Sequence, residues 1–87
     1  MSFFVKKPIV IEARQVVLGF HDEIADWCGG KVCGTKLPIK DRVIKFHNKS
    51  TDSEDEAVLG DYIVRGVFGE FYPVRKDIFE STYEIAQ

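Results

Sequence analysis

Gly60-Asp61-Tyr62-Ile63-Val64-Arg65-Gly66-Val67-Phe68-Gly69-Glu70-Phe71-Tyr72-Pro73-Val74 is the stretch that decides the fold. A Gly-Asp turn leads into the β-branched and aromatic run Tyr62-Ile63-Val64-Arg65. Gly66 and Gly69 bracket a tight connection, as residues that take positive φ without strain. Glu70 to Val74 then returns. Residues 57–74 are therefore read as a β-hairpin or meander. By the period of two, Arg65 shares a face with Ile63, while Tyr62 and Val64 share the other.

On the N-terminal side, β-branched residues and the alternation of Ile9, Ile11 and Ala13 with Val10, Glu12 and Arg14 predict a strand over residues 3–17. Pro8 suits its start or edge, since proline donates no hydrogen bond. A short helix is expected over His21–Cys28. Asp22 and Glu23 stand in its first turn, Ile24, Trp27 and Cys28 make an i, i+3, i+4 apolar face, and Gly29-Gly30 stops it. Two turns do not hold alone in water, so Trp27 must fasten this helix to a sheet. His21, at the helix start, is expected to be exposed.

Residues 31–34 predict a short strand, 35–41 a connection containing Pro38, and 42–47 an alternating strand. Residues 48–56 hold no apolar side chain and predict an acidic, mobile loop. After the hairpin, Asp77 is expected to cap a single helical turn over residues 78–81, and residues 83–85 to close as a short strand or extended tail. Together these elements predict an α+β fold: a small, twisted, mainly antiparallel sheet covered by one short helix, plus a C-terminal helical turn. At 87 residues, the chain is expected to form a single domain over 1–87.

Composition narrows the function classes. Hydrophobic residues are 45% and charged residues 30%, ordinary for a globular chain, and 13% aromatic content speaks against disorder. Apolar runs fall far short of the ~20 residues a membrane-spanning helix needs, so no membrane partner is expected. No apolar leader follows Met1-Ser2, so a cytoplasmic location is expected.

The net charge is -2, but its distribution is uneven. Residues 31–49 hold six basic side chains and one acidic, and residues 50–61 hold five acidic and none basic. The two segments are either solvated and facing each other across a hairpin, or a basic strip for phosphate screened by an acidic loop. The first reading is preferred, and nucleic acid is not an expected partner. The one basic-aromatic cluster, Lys45-Phe46-His47-Asn48-Lys49, has in Phe46 a residue with an equal claim to the core.

No catalytic set stands out. Cys28 and Cys33 are expected to be reduced and packed rather than joined in a disulfide. His21, Cys28, Cys33 and His47 are zinc-type ligands, but their spacing fits no compact site, so no metal or cofactor is expected. Neither cysteine has a local base to make it a nucleophile. Cys28-Gly29-Gly30-Lys31 lacks the spacing of a phosphate loop and ends a helix rather than starting one. The hairpin carries the strongest candidate site: Arg65, Glu70, Tyr72 and Arg75, as ligand- or partner-binding residues that could converge on one face. The competing structural reading is that the glycines serve turns and that Phe71, Tyr72, Phe79 and Tyr83 supply a core.

Several of these pieces together resemble a family. Gly60-Asp61-Tyr62-Ile63-Val64-Arg65-Gly66-Val67, Gly69-Glu70-Phe71-Tyr72-Pro73, Asp77-Ile78-Phe79 and Thr82-Tyr83-Glu84 are similar to small bacteriophage and prophage proteins named for a Pro-Gly-Asp-Tyr-Gly-like turn. Lys6-Lys7-Pro8-Ile9-Val10-Ile11-Glu12-Ala13 and Trp27-Cys28-Gly29-Gly30 share in the resemblance, which covers about half of the chain and leaves out residues 34–57. Leu59 stands where the family usually has proline, and Val74-Arg75-Lys76 where it often has Cys-Lys-Pro; both departures touch turns. The family has no established activity, so the resemblance implies a phage context. The expectation is a non-enzymatic accessory protein in the host cytoplasm, binding a host protein or itself. The alternative is a module that binds a small anionic ligand or nucleotide on the 60–75 hairpin face.

Overall fold

The computed structural model describes residues 1–5 and 7–85. Lys6, which falls in the expected N-terminal strand and in the Lys6-Lys7-Pro8 motif, lies outside the described residues. Among the described residues, six strands and two helices follow one another: β1 (Glu12–Gln15), α1 (His21–Cys28), β2 (Lys31–Cys33), β3 (Val43–Asn48), β4 (Ser53–Ala57), β5 (Tyr62–Arg65), β6 (Phe71–Val74) and α2 (Lys76–Thr82), with a 3-10 turn at Ile39–Asp41 before β3. The strands form two three-stranded antiparallel sheets, ordered β1-β5-β6 and β2-β3-β4. The fold is α+β with antiparallel pairing throughout.

The core lies where α1 meets both sheets. Ile24, Ala25 and Cys28 come from α1, Ile44 and Phe46 from β3, Ala57 from β4, Ile63 from β5, and Val16 from just after β1. The helix is held as its sequence requires. Trp27 packs against this core and meets Phe71 of β6 edge to face, with ring centroids 5.1 Å apart. Gly29 takes φ 70°, and the chain past it donates back from Gly29 N to Asp26 O and from Gly30 N to Ala25 O, closing the helix end.

Four expectations are corrected. The N-terminal strand is only four residues long, because its sole neighbour β5 has four residues to pair: Glu12 with Arg65 through Gln15 with Tyr62. Residues 1–5 and 7–11 lie outside any strand. The acidic loop is in fact strand β4, joined to β3 by a turn over residues 49–52. Its carboxylates stand opposite bases: Glu56 faces Lys45 and Glu54 faces His47, while the His47 Nε2 lies 3.4 Å from Asp52 Oδ1. Inside the pair, Asn48 Nδ2 donates to Asp55 Oδ2 at 2.8 Å, and Asn48 Oδ1 accepts from Ser50 N at 3.0 Å, so the buried amide is satisfied at both ends.

His21 is buried, not exposed, and neither ring nitrogen has a protein partner among the described residues. It opens α1 on the side where Ile24, Ala25 and Cys28 enter the core, so the helix face carries it inward. Finally, Asp77 does not cap α2. Arg75 occupies the cap position in extended conformation, and the Asp77 carboxylate instead accepts from Arg75 Nη2 at 3.1 Å. Residues 83–85 form neither helix nor strand, and Tyr83 leaves α2 in extended conformation.

Candidate functional site

The Gly60-Asp61 turn fixes where the hairpin begins. Asp61 Oδ2 accepts from Val58 N at 3.1 Å, and Val16 exchanges backbone bonds with the turn: Gly60 N to Val16 O and Val16 N to Asp61 O, both 2.8 Å. These bonds lock β1 and β5 in register. Register then settles which side chains share a face. Arg65, Phe71 and Glu12 lie in one cross-strand row, and Val64, Tyr72 and Ala13 in the next, facing the opposite way. The alternation read from the sequence is thus observed, and it separates the candidate residues.

Arg65 is on the α1 side of the sheet. Its Nη1 is 4.0 Å from Glu12 Oε1. Glu70 closes the hairpin loop: its Oε1 accepts from Phe68 N at 3.2 Å, and its backbone carbonyl accepts from Gly66 N at 2.7 Å. The Glu70 carboxylate sits against Gly66, where a Cβ would collide with it, so Gly66 serves close approach rather than positive φ. Arg75 stands at the far end of β6, paired with Asp77 in a shallow depression that Asp61, Lys76 and Glu80 also line. Tyr72 and Glu70 line a common concavity; Arg65 and Arg75 do not line it.

That concavity has a volume of about 1070 Å³. Its floor is the outward face of the β1-β5-β6 sheet, at Ala13, Tyr62 and Tyr72. One wall is the segment Lys7 to Ile11; the other is α2 with the tail to Ile85. Val67 and Phe68 of the hairpin loop stand at its edge, 58% and 86% exposed.

An aromatic ladder builds the second wall. Phe79 stacks on Tyr62 with centroids 3.9 Å apart and planes 12° apart, and Tyr83 stacks on Phe79 at 4.6 Å. Since α2 buries no residue, these rings, with a 3.0 Å hydrogen bond from Tyr62 Oη to Glu80 Oε2, hold it to the sheet. Phe79, Tyr72 and Tyr83, expected as core, are therefore half-buried lining, while Phe71 does pack on the core. The Phe79-Tyr83 spacing of four, one helical turn, was the signal in the sequence that these rings meet.

Three carboxylates, Glu70, Glu80 and Glu84, line the concavity, against one described cation, Lys7. They act on the phenols. Burial, then the Tyr83 hydroxyl and the charge of Glu70, push the Tyr72 phenol up to about 12. Burial and then Glu80 also raise Tyr62. Both phenols are protonated donors at neutral pH.

The other candidates stay apart. Cys28 is buried and free, its thiol donating to Ala25 O at 3.6 Å, and burial pushes that thiol up, away from thiolate chemistry. His47 projects from the outer face of β3, opposite to Phe46. Among the described residues, no group of three or more His, Cys, Asp or Glu side chains is placed to hold a metal ion, and no helix is long and apolar enough to cross a membrane. No family model, curated protein or solved structure gives a match to this chain.

Proposed function

We propose that this chain is a non-enzymatic accessory protein of phage type, and that it acts by docking an extended, apolar and basic segment of a protein in the concavity between Lys7–Ile11 and α2. The observation that carries this reading is the lining itself: a ladder of stacked aromatic rings beside Glu70, Glu80 and Glu84. Aromatic side chains supply large rigid contact area at low entropic cost, and carboxylates next to rings favour lysine or arginine over an anion. Val67, Phe68 and Ile85 add exposed apolar surface to it, where a partner removes it from water. The phage context rests on the resemblance carried by the hairpin and the N-terminal motif, and it makes the host cytoplasm the proposed location.

The rival, a small anionic ligand on the hairpin face, draws less support, because the two arginines it would use do not line the aromatic concavity. Panning a random-peptide library on the immobilised chain separates the two. Extended peptides with aromatic or aliphatic residues flanked by Lys or Arg should be enriched, and the double variant Val67→Asp/Phe68→Asp should bind them at least tenfold more weakly. Both side chains are exposed, so the variant should fold. Enriched peptides that bind the variant unchanged, or a melting temperature raised only by nucleotides, would remove the docking reading.

A further inference from the structure

We infer that the docked segment is this chain's own N-terminal arm, supplied by a second copy, so that two chains exchange arms and each fills the other's concavity. This inference rests on the docking reading above and names its partner.

Charge and side-chain chemistry match first. The arm reads Phe3-Phe4-Val5-Lys6, three large apolar residues followed by a lysine, and Lys7, where it leaves the chain, lines the chain's own concavity. The concavity offers stacked rings interleaved with three carboxylates, Glu70, Glu80 and Glu84. In the single chain this arm has no use for its apolar side chains, since Phe3, Phe4 and Val5 are 89%, 94% and 92% exposed. Such a run left in water is an association surface or a liability.

Surface area, the exposed arm included, gives the amount available. A compact monomer of 9.9 kDa exposes roughly 5,200 Å² by the usual scaling of area with mass. This chain exposes 6733 Å², an excess of roughly 1,500 Å². A standard stable interface takes about 800 Å² from each partner. The excess surface is thus enough for such an interface, and the elongated extents of 54 × 27 × 23 Å agree with it.

Chain stiffness favours exchange over folding back. Lys7 to Ile11 already forms one wall of the chain's own concavity. Pro8 fixes its own φ and biases Lys7 toward extended backbone, which disfavours a tight reversal of the chain at Lys7. Five extended residues reach about 17 Å, enough to cross into a neighbouring molecule. A reciprocal exchange closes with two-fold symmetry and leaves neither concavity open.

Sedimentation velocity on the full chain over a concentration series tests this. The wild type should form a species of twice the 9.9 kDa chain mass. Phe3→Asp/Phe4→Asp should weaken association at least a hundredfold while leaving the melting temperature of the dilute monomer unchanged. Charge exchange sharpens the test. Glu80→Lys/Glu84→Lys alone and Lys6→Glu/Lys7→Glu alone should each associate at least tenfold more weakly at low salt. Mixed together they should recover a heterodimer, because each arm then meets a concavity of opposite sign. A wild type that stays monomeric, a dimer indifferent to the Phe3 and Phe4 changes, or a mixture that fails to recover would overturn the exchange. So would a monomer whose melting temperature falls with the Phe3 and Phe4 changes, which would mean the arm folds back on its own chain. If the wild type is monomeric and selected peptides still lose affinity for the Val67→Asp/Phe68→Asp variant, the exchange fails and the docking reading stands. If peptide binding is also indifferent, both fail.

Discussion

Trp27 of α1 and Phe71 of β6 meet edge to face at 5.1 Å, and this pair joins the main helix to the β1-β5-β6 sheet. Arg14 of β1 lies over the same indole, 4.7 Å from its centre. Trp27→Ala should destabilise the chain by about 2–4 kcal/mol, somewhat below the range for a fully buried tryptophan because the ring is only half-buried. Arg14→Ala should cost under about 1 kcal/mol, as expected for an exposed cation over a ring. A urea melt of both variants checks this; a loss below about 1 kcal/mol for Trp27→Ala would mean that the helix is held by something other than this contact.

His21 is the one buried side chain whose nitrogens lack protein partners among the described residues. A buried polar group left unpaired costs about 1–3 kcal/mol, whereas an apolar group of similar shape carries no such cost. His21→Leu should therefore be neutral or stabilising by about 1 kcal/mol. His21→Ala should destabilise, because it opens a cavity. Thermal melts of the two variants at neutral pH decide it, and a clear loss in His21→Leu would point to a hydrogen bond by the imidazole.

Strand β4 separates two kinds of acidic residue. Asp55 is half-buried and accepts from the buried Asn48 amide, so Asp55→Ala should cost about 1–2 kcal/mol by stranding that donor. Glu54→Ser and Glu56→Ser, on the outer face, should cost about 0.5 kcal/mol or less each. The double outer-face variant uncovers Lys45 and tests the phosphate-strip reading of residues 31–49. No salt-sensitive binding of an oligonucleotide is expected; measurable binding at low salt would revive that reading.

The contrast between α1 and β4 explains what the residues disclose in isolation. Helix His21–Cys28 is bounded by local signals: the Ile24, Trp27, Cys28 spacing and the glycine pair that follows. Strand β4 has no local signal, since Ser53-Glu54-Asp55-Glu56 is polar on both faces and becomes a strand only by pairing with Lys45, His47 and Asn48 of β3. The N-terminal strand shows the reverse error. Its alternation runs on past Glu12 toward the N-terminus, but a strand extends only as far as its partner, and β5 ends at Arg65. At the candidate site, alternation correctly separated Arg65 from Tyr62 and Val64. Placing Tyr72 opposite Val64, and so away from Arg65, needed the hairpin register, which the loop Gly66–Gly69 sets.

Arg65 gives a direct test of the anionic-ligand alternative. It is half-exposed, 4.0 Å from Glu12, and outside the concavity. Arg65→Ala should cost under about 1 kcal/mol and leave peptide binding unchanged. Loss of a bound anion or nucleotide in Arg65→Ala, retained in Arg65→Lys to a lesser degree, would instead place a site on the α1 side of the sheet, since lysine keeps the charge but not the planar fork.

Tyr72 links the concavity to pH. Its phenol is pushed up to about 12 by burial first, then by the Tyr83 hydroxyl and the Glu70 charge. An unfolded tyrosine titrates near ~10. Between those values the unfolded chain has released the proton and the folded chain still holds it. Stability conferred by the neutral phenol is therefore fully present below about pH 10 and is lost as pH rises toward 12. Tyr72→Phe cannot titrate and should flatten that alkaline fall, while leaving stability near neutral pH little changed. Melting temperatures of wild type and variant measured from neutral to strongly alkaline pH should run together and then separate, the wild type dropping faster. Curves that stay parallel throughout would show that Tyr72 ionises as freely as in the unfolded chain, and that Glu70 and Tyr83 do not enclose it.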